Sequence, residues 1–159
     1  MAVRVQAEDF DVGAELARLT DGNARIGGLA VFVGLVRERH VRDGYHQDRI
    51  EALTLEHWPG RTEEALAEIE AEARRRWPLD ATLIVHRHGR LVAGERIVLV
   101  AVGSPHREAA FEACGFLVDW LKTKAPFWKL EETPEGERWV ESHAGDEEAA
   151  ARWDKPGKA

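Results

Sequence analysis

Two stretches of the chain carry almost no polar side chain: LAVFVGLVR at 29–37 and RIVLVAVGS at 96–104. An apolar run of strand length reads as a strand buried on both faces, which a chain can hold only inside a sheet that other elements cover. Gly34 interrupts the first run, and a glycine inside a strand marks a bulge or a close backbone approach. With 159 residues there is room for one such core. The expected layout is therefore a single domain over 1–143 and a charged tail over 144–159.

The segments between the runs are mixed. Residues 2–6 alternate and predict an edge strand, and Asp11 is placed to cap a short helix, VGAELARL, ending before Asp21-Gly22. From Glu38 to Arg49 the chain is polar and predicts a loop of about a dozen residues, a length often tied to function. IEALTLEHW (50–58) alternates as a strand, Pro59-Gly60 turns, and Thr62 is a candidate cap for a helix whose Leu66, Ile69, Ala73 and Trp77 share one face. ATLIVHRHG (81–89) predicts another strand, with a turn at Gly89. Ser104 suits an N-cap and Pro105 a first helical position for HREAAFEACGFLVDWLKTK. Phe111, Cys114, Leu117, Val118 and Leu121 are its expected buried stripe. FWKLEE and ERWVE predict a hairpin around Pro134-Glu135-Gly136, and the tail predicts a short helix that frays. Strands and helices mixed in this way, with a terminal hairpin, indicate the α+β class.

Composition removes several functions. Negative residues outnumber positive ones 29 to 22, for a net charge of −7, so sequence-independent binding to a phosphate backbone is a poor fit. One cysteine, Cys114, allows neither an internal disulfide nor a four-cysteine zinc site. No apolar run reaches the length of a membrane span, and MAVRVQAEDF has no signal core, so a cytoplasmic location is expected. No phosphate-cradling loop, dinucleotide fingerprint or G-x-S-x-G turn is present. His86 and His88 lie two apart on one strand and His57 could join them, but no carboxylate completes a metal-binding spacing. Exposed strand histidines are expected there, with no metal and no cofactor.

The lysines point to chemistry. The chain has 17 arginines and only 5 lysines, and three of the five, Lys122, Lys124 and Lys129, fall within KTKAPFWK. Arginine keeps its proton in a protein, whereas lysine can be tuned into an acid, base or nucleophile. Pro126 turns the chain so that Lys122 and Lys129 could converge on a cleft walled by Phe127 and Trp128. A second signal is GSPHRE at 103–108, which puts His106 and Arg107 at a helix start, where unpaired N–H groups already favour an anion. A third is Arg37, beside Gly34 at a strand end. The helix from His106 to Lys124 is about 27 Å long at the standard rise. His106 and Lys122 therefore share a pocket only if the helix breaks, with Gly115 as the candidate, or if two subunits build the pocket together.

Taken together, VFVGLVR (31–37), ALTLEHWPG (52–60), RRRWPL (74–79), HRHGRLVAGERIVLVAV (86–102), SPHREAAFEA (104–113) and LKTKAPFWKLEETPEGERWVE (121–141) resemble the large, catalytic subunit of molybdopterin synthase. The resemblance implies an α/β hammerhead-like fold with an additional small α+β part. It implies a homodimer core with a small ubiquitin-like sulfur-carrier subunit, ending in Gly-Gly, at each end of a heterotetramer. The implied activity moves sulfur from the carrier's C-terminal thiocarboxylate onto cyclic pyranopterin monophosphate, giving molybdopterin. By similarity the substrate site draws on Leu35, Val36 and Arg37, on His106 and Arg107, on Lys122, and on Lys129, Leu130 and Glu131, with Lys122 and Lys129 catalytic. A family arginine just after RWVE is replaced here by Ser142-His143. The competing reading is a non-enzymatic module that binds a phosphorylated metabolite in the same cationic pocket.

Overall fold

In this computed structural model, residues 2–42, 46–140 and 144–154 are described. The elements run β1 (Val3–Gln6), α1 (Val12–Thr20), β2 (Gly28–Leu35), β3 (Arg39–Arg42), β4 (His46–Arg49), β5 (Ala52–His57), α2 (Arg61–Arg76), β6 (Ala81–Arg87), β7 (Gly89–Val92), β8 (Arg96–Ser104), α3 (Arg107–Lys124), β9 (Phe127–Thr133), β10 (Gly136–Val140) and α4 (Ala144–Ala151). Mixed sheets and helices give the α+β class that the sequence pattern indicates.

The two apolar runs pair with each other, antiparallel, from Gly28 opposite Ser104 to Leu35 opposite Arg96. They belong to a sheet of order β1-β6-β8-β2, in which β1 runs parallel to β6. Helices α2 and α3 cover one face, packing Leu66, Ile69, Ala113 and Leu117 on Ile84, Val100 and Val102. On the other face, Phe10, Leu16 and Leu19 pack on Leu83, Val85 and Leu99. The central strands β6 and β8 are thus buried on both sides. The outer strand β2 is not, contrary to the expectation from its run: Val31 is 40% and Leu35 52% exposed. A second sheet, β10-β9-β5-β7, closes a smaller core of Val36, Ile50, Leu53, Leu55 and Leu91.

Gly34 does both things an interior glycine can do. The register shifts between Gly34 and Leu35, and a Cβ at Gly34 would stand 2.8 Å from a Val98 methyl. The bulge turns the end of β2 away from the first sheet and toward the second.

Several local expectations are corrected. Thr62 is not the cap of α2. It is the second residue of the helix, fully buried, where its hydroxyl accepts from the Trp58 N–H and donates to the Pro126 carbonyl. Ser104 ends β8 and donates to the Pro78 carbonyl, while His106 takes the N-cap position of α3. Of the expected stripe on α3, Cys114, Leu117 and Leu121 are buried and Val118 is partly so, but Phe111 is 68% exposed, and Ala110, Ala113 and Phe116 are buried on that helix instead. Helix α3 runs unbroken through Gly115. The expected loop at 38–49 contains the antiparallel pair β3 and β4, and β7 was not anticipated.

Helix α4 is held down rather than frayed. Trp120 donates to the Ala150 carbonyl, Trp153 donates to the Asp119 carboxylate, and Arg76 donates to the Trp153 carbonyl. Ser142, His143 and the last residues, 155–159, lie outside the described residues. Among the described residues no helix is long and apolar enough to cross a membrane.

Candidate substrate cavity

Where the bulged end of β2 meets the second sheet, a cavity of about 730 Å³ opens. Each wall comes from a different element. The end of β2 and the residues after it supply Leu35, Val36 and Arg37; the last turn of α3 supplies Leu121 and Lys122; β6 supplies His86; and the start of α4 supplies Asp146.

Strand β9 supplies every second residue. Side chains alternate across a strand, and Phe127, Lys129 and Glu131 line the cavity. Trp128 and Leu130 therefore belong to the opposite face, where Leu130 is cross-strand neighbour to Trp139. Both tryptophans are exposed there. So Leu130 is no part of this cavity wall, and of the two aromatic residues expected to wall the cleft only Phe127 does so.

The two ends of the KTKAPFWK patch converge and its middle does not. Lys122 points toward the cavity, with Nζ 6.0 Å from the Phe32 ring centroid. Lys124 lies instead over Trp120 at 4.5 Å. Lys129 is held below the usual lysine range, first by burial, then by the Lys122 charge, with Arg37 adding to it and Asp146 and Glu131 opposing. As a residue Lys129 is nonetheless exposed. Glu131 is buried and pairs with Arg138 at 3.0 Å, its cross-strand neighbour on β10. Three cations thus face a partly desolvated space in which their fields are stronger than in bulk water.

His106 and Arg107 are not in this cavity. They are exposed at the far end of the unbroken α3. That corner is fixed against the start of β2, because a Cβ at Gly27 would fall 2.1 Å from the Pro105 carbonyl oxygen.

Sequence reasoning missed three residues. His86 is buried, not exposed, and stacks on Phe127 with ring centroids 3.8 Å apart. Its signal was available: ATLIVHR is apolar enough to be covered on both faces. Burial lowers its pKa to about 4, and the nearby Lys129, His57 and His88 push the same way against a backbone hydrogen bond to Arg87. Arg138 could be found only by pairing the hairpin in register with Glu131. Asp146 was hidden because nothing in a charged tail shows which residue returns to the domain. His57 and His88 lie ring to ring at 4.3 Å, and His57 is 3.7 Å from Glu63. Among the described residues, no group of three or more such side chains is placed to hold a metal ion. Cys114 is buried, which raises its thiol pKa to about 11 and leaves it unreactive.

Residues 5–124 match the family model for the MoaE protein. The chain is 52% identical over 155 residues to a molybdopterin synthase catalytic subunit of Pseudomonas aeruginosa, covering 98% of this chain and 100% of that one. The solved MoaE protein from Burkholderia ambifaria is similar at a TM-score of 0.78 and 50% identity, over 97% of this chain and 99% of that chain. A molybdopterin synthase structure from Staphylococcus aureus also gives a TM-score of 0.78, at 32% identity, over 89% of this chain and 98% of that chain. Fold, family model and full-length relatives agree: the chain belongs to the MoaE family of molybdopterin synthase catalytic subunits.

Proposed function

We infer that the chain is the catalytic subunit of a molybdopterin synthase: a sulfurtransferase that converts cyclic pyranopterin monophosphate to molybdopterin, taking sulfur from the C-terminal thiocarboxylate of a small ubiquitin-like carrier. The observation that carries this reading is the convergence of Arg37, Lys122 and Lys129 in one cavity, of a size suited to a small metabolite. Arg37 offers a fixed fork of donors to an anionic oxygen. Lys122 is the catalytic group, activating the attacked carbon or accepting the carrier's acyl group once sulfur has left. Lys129 stabilises negative charge developing on the leaving oxygen or thiolate. Both substrates are water-soluble, and the reaction belongs in the cytoplasm.

The working unit is a homodimer with shared pockets, each completed by a carrier. Two features support this. His106 and Arg107 stand at the wrong end of a continuous helix to serve their own cavity. Strand β2 ends its sheet with eight residues, GLAVFVGL, none of them charged, and an apolar edge of that length invites another strand. Antiparallel pairing of two β2 strands about a two-fold axis between Val31 and Phe32 sets Gly28 of one copy opposite Leu35 of the other. The His106–Arg107 corner, fixed beside Gly27 and Gly28, then approaches the Leu35–Arg37 wall of the other copy's cavity. His106 and Arg107 supply donors to the substrate phosphate there.

Reconstitution with the thiocarboxylated carrier and cyclic pyranopterin monophosphate tests the reading. Wild-type chain is expected to form molybdopterin. Lys122→Ala and Lys122→Arg are both expected to fail while staying folded, because arginine keeps the charge but releases no proton. Turnover by the arginine variant at the wild-type rate would reduce Lys122 to a charge anchor. Binding of the pterin without any turnover would favour the non-enzymatic metabolite module.

A further inference from the structure

We propose that His86 reads the pterin ring: its Nε2 lone pair accepts a hydrogen bond from a ring N–H of the substrate. This rests on the function inferred above and adds a specificity residue to it.

Four observations carry it. First, His86 lines the cavity although it is only 5% exposed, so the part of it that is not packed away belongs to the cavity wall. Second, its tautomer is fixed. Nδ1 lies 2.8 Å from the Arg87 carbonyl oxygen, and a carbonyl can only accept, so Nδ1 carries the proton and Nε2 keeps a lone pair. Third, its ring is fixed. The Phe127 ring lies almost parallel to it, at an interplanar angle of 20°, and joins the first sheet to the second at the point where Lys129 enters the cavity.

The fourth observation concerns the other groups around the cavity. Arg37 and Lys122 can only donate, and so can Lys129 when charged. Glu131 is engaged by Arg138. Such a lining suits a phosphate, and the further side-chain acceptor on its wall, Asp146 at the start of α4, is a charged carboxylate. A neutral imidazole offers a heterocycle rich in N–H groups an acceptor without adding negative charge that would weaken phosphate binding. Burial and the neighbouring cations keep it neutral at the pH where the enzyme works. Sites built to hydrogen-bond a polar substrate group discriminate strongly against ligands that lack it, because the unpaired site group remains desolvated.

The test measures binding of cyclic pyranopterin monophosphate and of inorganic phosphate to the full chain, with turnover of the wild type as reference. His86→Phe keeps a flat ring on Phe127 and removes the lone pair. It is expected to weaken pterin binding about tenfold or more, with phosphate binding unchanged. His86→Gln restores an acceptor and is expected to recover part of the loss. A purely structural role would instead lower the affinity for both ligands together. If His86→Phe does not fold, a series of ring-N-methylated pterins on the wild-type chain gives the same answer. One methylation is expected to cost about tenfold, and a series in which every member binds like the parent overturns the proposal. So does a folded His86→Phe chain with wild-type pterin affinity. Absence of wild-type turnover removes the functional reading and this inference together, whereas normal turnover with an indifferent His86→Phe removes only His86.

Discussion

At the scale of single residues, the cavity is an electrostatic compromise that acid should expose. His86 has a pKa of about 4 in the fold against 6.5 for an unperturbed histidine. Between those values the unfolded chain binds more protons than the native one, so stability rises with pH across that window. It is lost as pH falls from about 6.5 toward 4, by about 3 kcal/mol at full extent. The titratable groups facing His86 are Lys129 from β9, His57 from β5 and His88 just after β6, and Glu63 on α2 faces His57. Urea unfolding at pH 7 and pH 4.5 should show a smaller loss for His86→Phe than for the wild type. Equal losses would place the acid sensitivity elsewhere. Arg107→Ala is expected to weaken substrate binding by ~2 kcal/mol, about thirtyfold, and unchanged affinity would remove the anion site at the start of α3. Lys122, Lys129 and Arg37 were legible in the sequence because their residue types carry the chemistry themselves. His86 and Arg138 were not, because each acquires its role from a neighbour on another strand: the Phe127 ring in one case and Glu131 in the other.

At the scale of elements, the existence of strands and helices was easier to read than their neighbours. The apolar run of β2 gave the strand correctly and its place in the sheet wrongly. An apolar face covered by helices and one covered by a second copy of the chain leave the same trace in sequence. The β3–β4 pair left almost none. ERHVRDGYHQDR contains a single aliphatic residue, Val41, so no period of two marks it. On helix α3 the expected stripe holds at Cys114, Leu117 and Leu121 and fails at its first residue. Its stripe was drawn through Phe111, but alanines at 110 and 113 face the sheet, and alanine carries little weight in a hydrophobic pattern. The β2 edge supports an element-level test. Val31→Glu puts a charge in the middle of the exposed apolar row, a device that edge strands use against pairing. Sedimentation should then show a folded monomer with little sulfur-transfer activity. A fully active Val31→Glu dimer would rule out pairing through β2.

At the scale of the whole molecule, the layout of α3 sets the requirement. It is an unbroken helix of 18 residues, about 27 Å long, with a cationic corner at one end and the lysine cavity at the other. In the proposed dimer, a two-fold axis near the middle of β2 exchanges the ends, so that each cavity meets the other copy's corner. Isologous contacts of this kind repeat the same patch on both subunits, which suits a strand whose outer edge is apolar along its length. The most direct measurement mixes two impaired chains, Lys122→Ala and Arg107→Ala, at equal concentrations under subunit exchange. Sulfur transfer is then assayed with the carrier at substrate well below saturation. Random association makes half of the dimers mixed, and each mixed dimer keeps one intact pocket of two. The expected activity is therefore about a quarter of the wild type, far above either parent. Mixed dimers that form but stay as inactive as their parents would contradict the shared pocket.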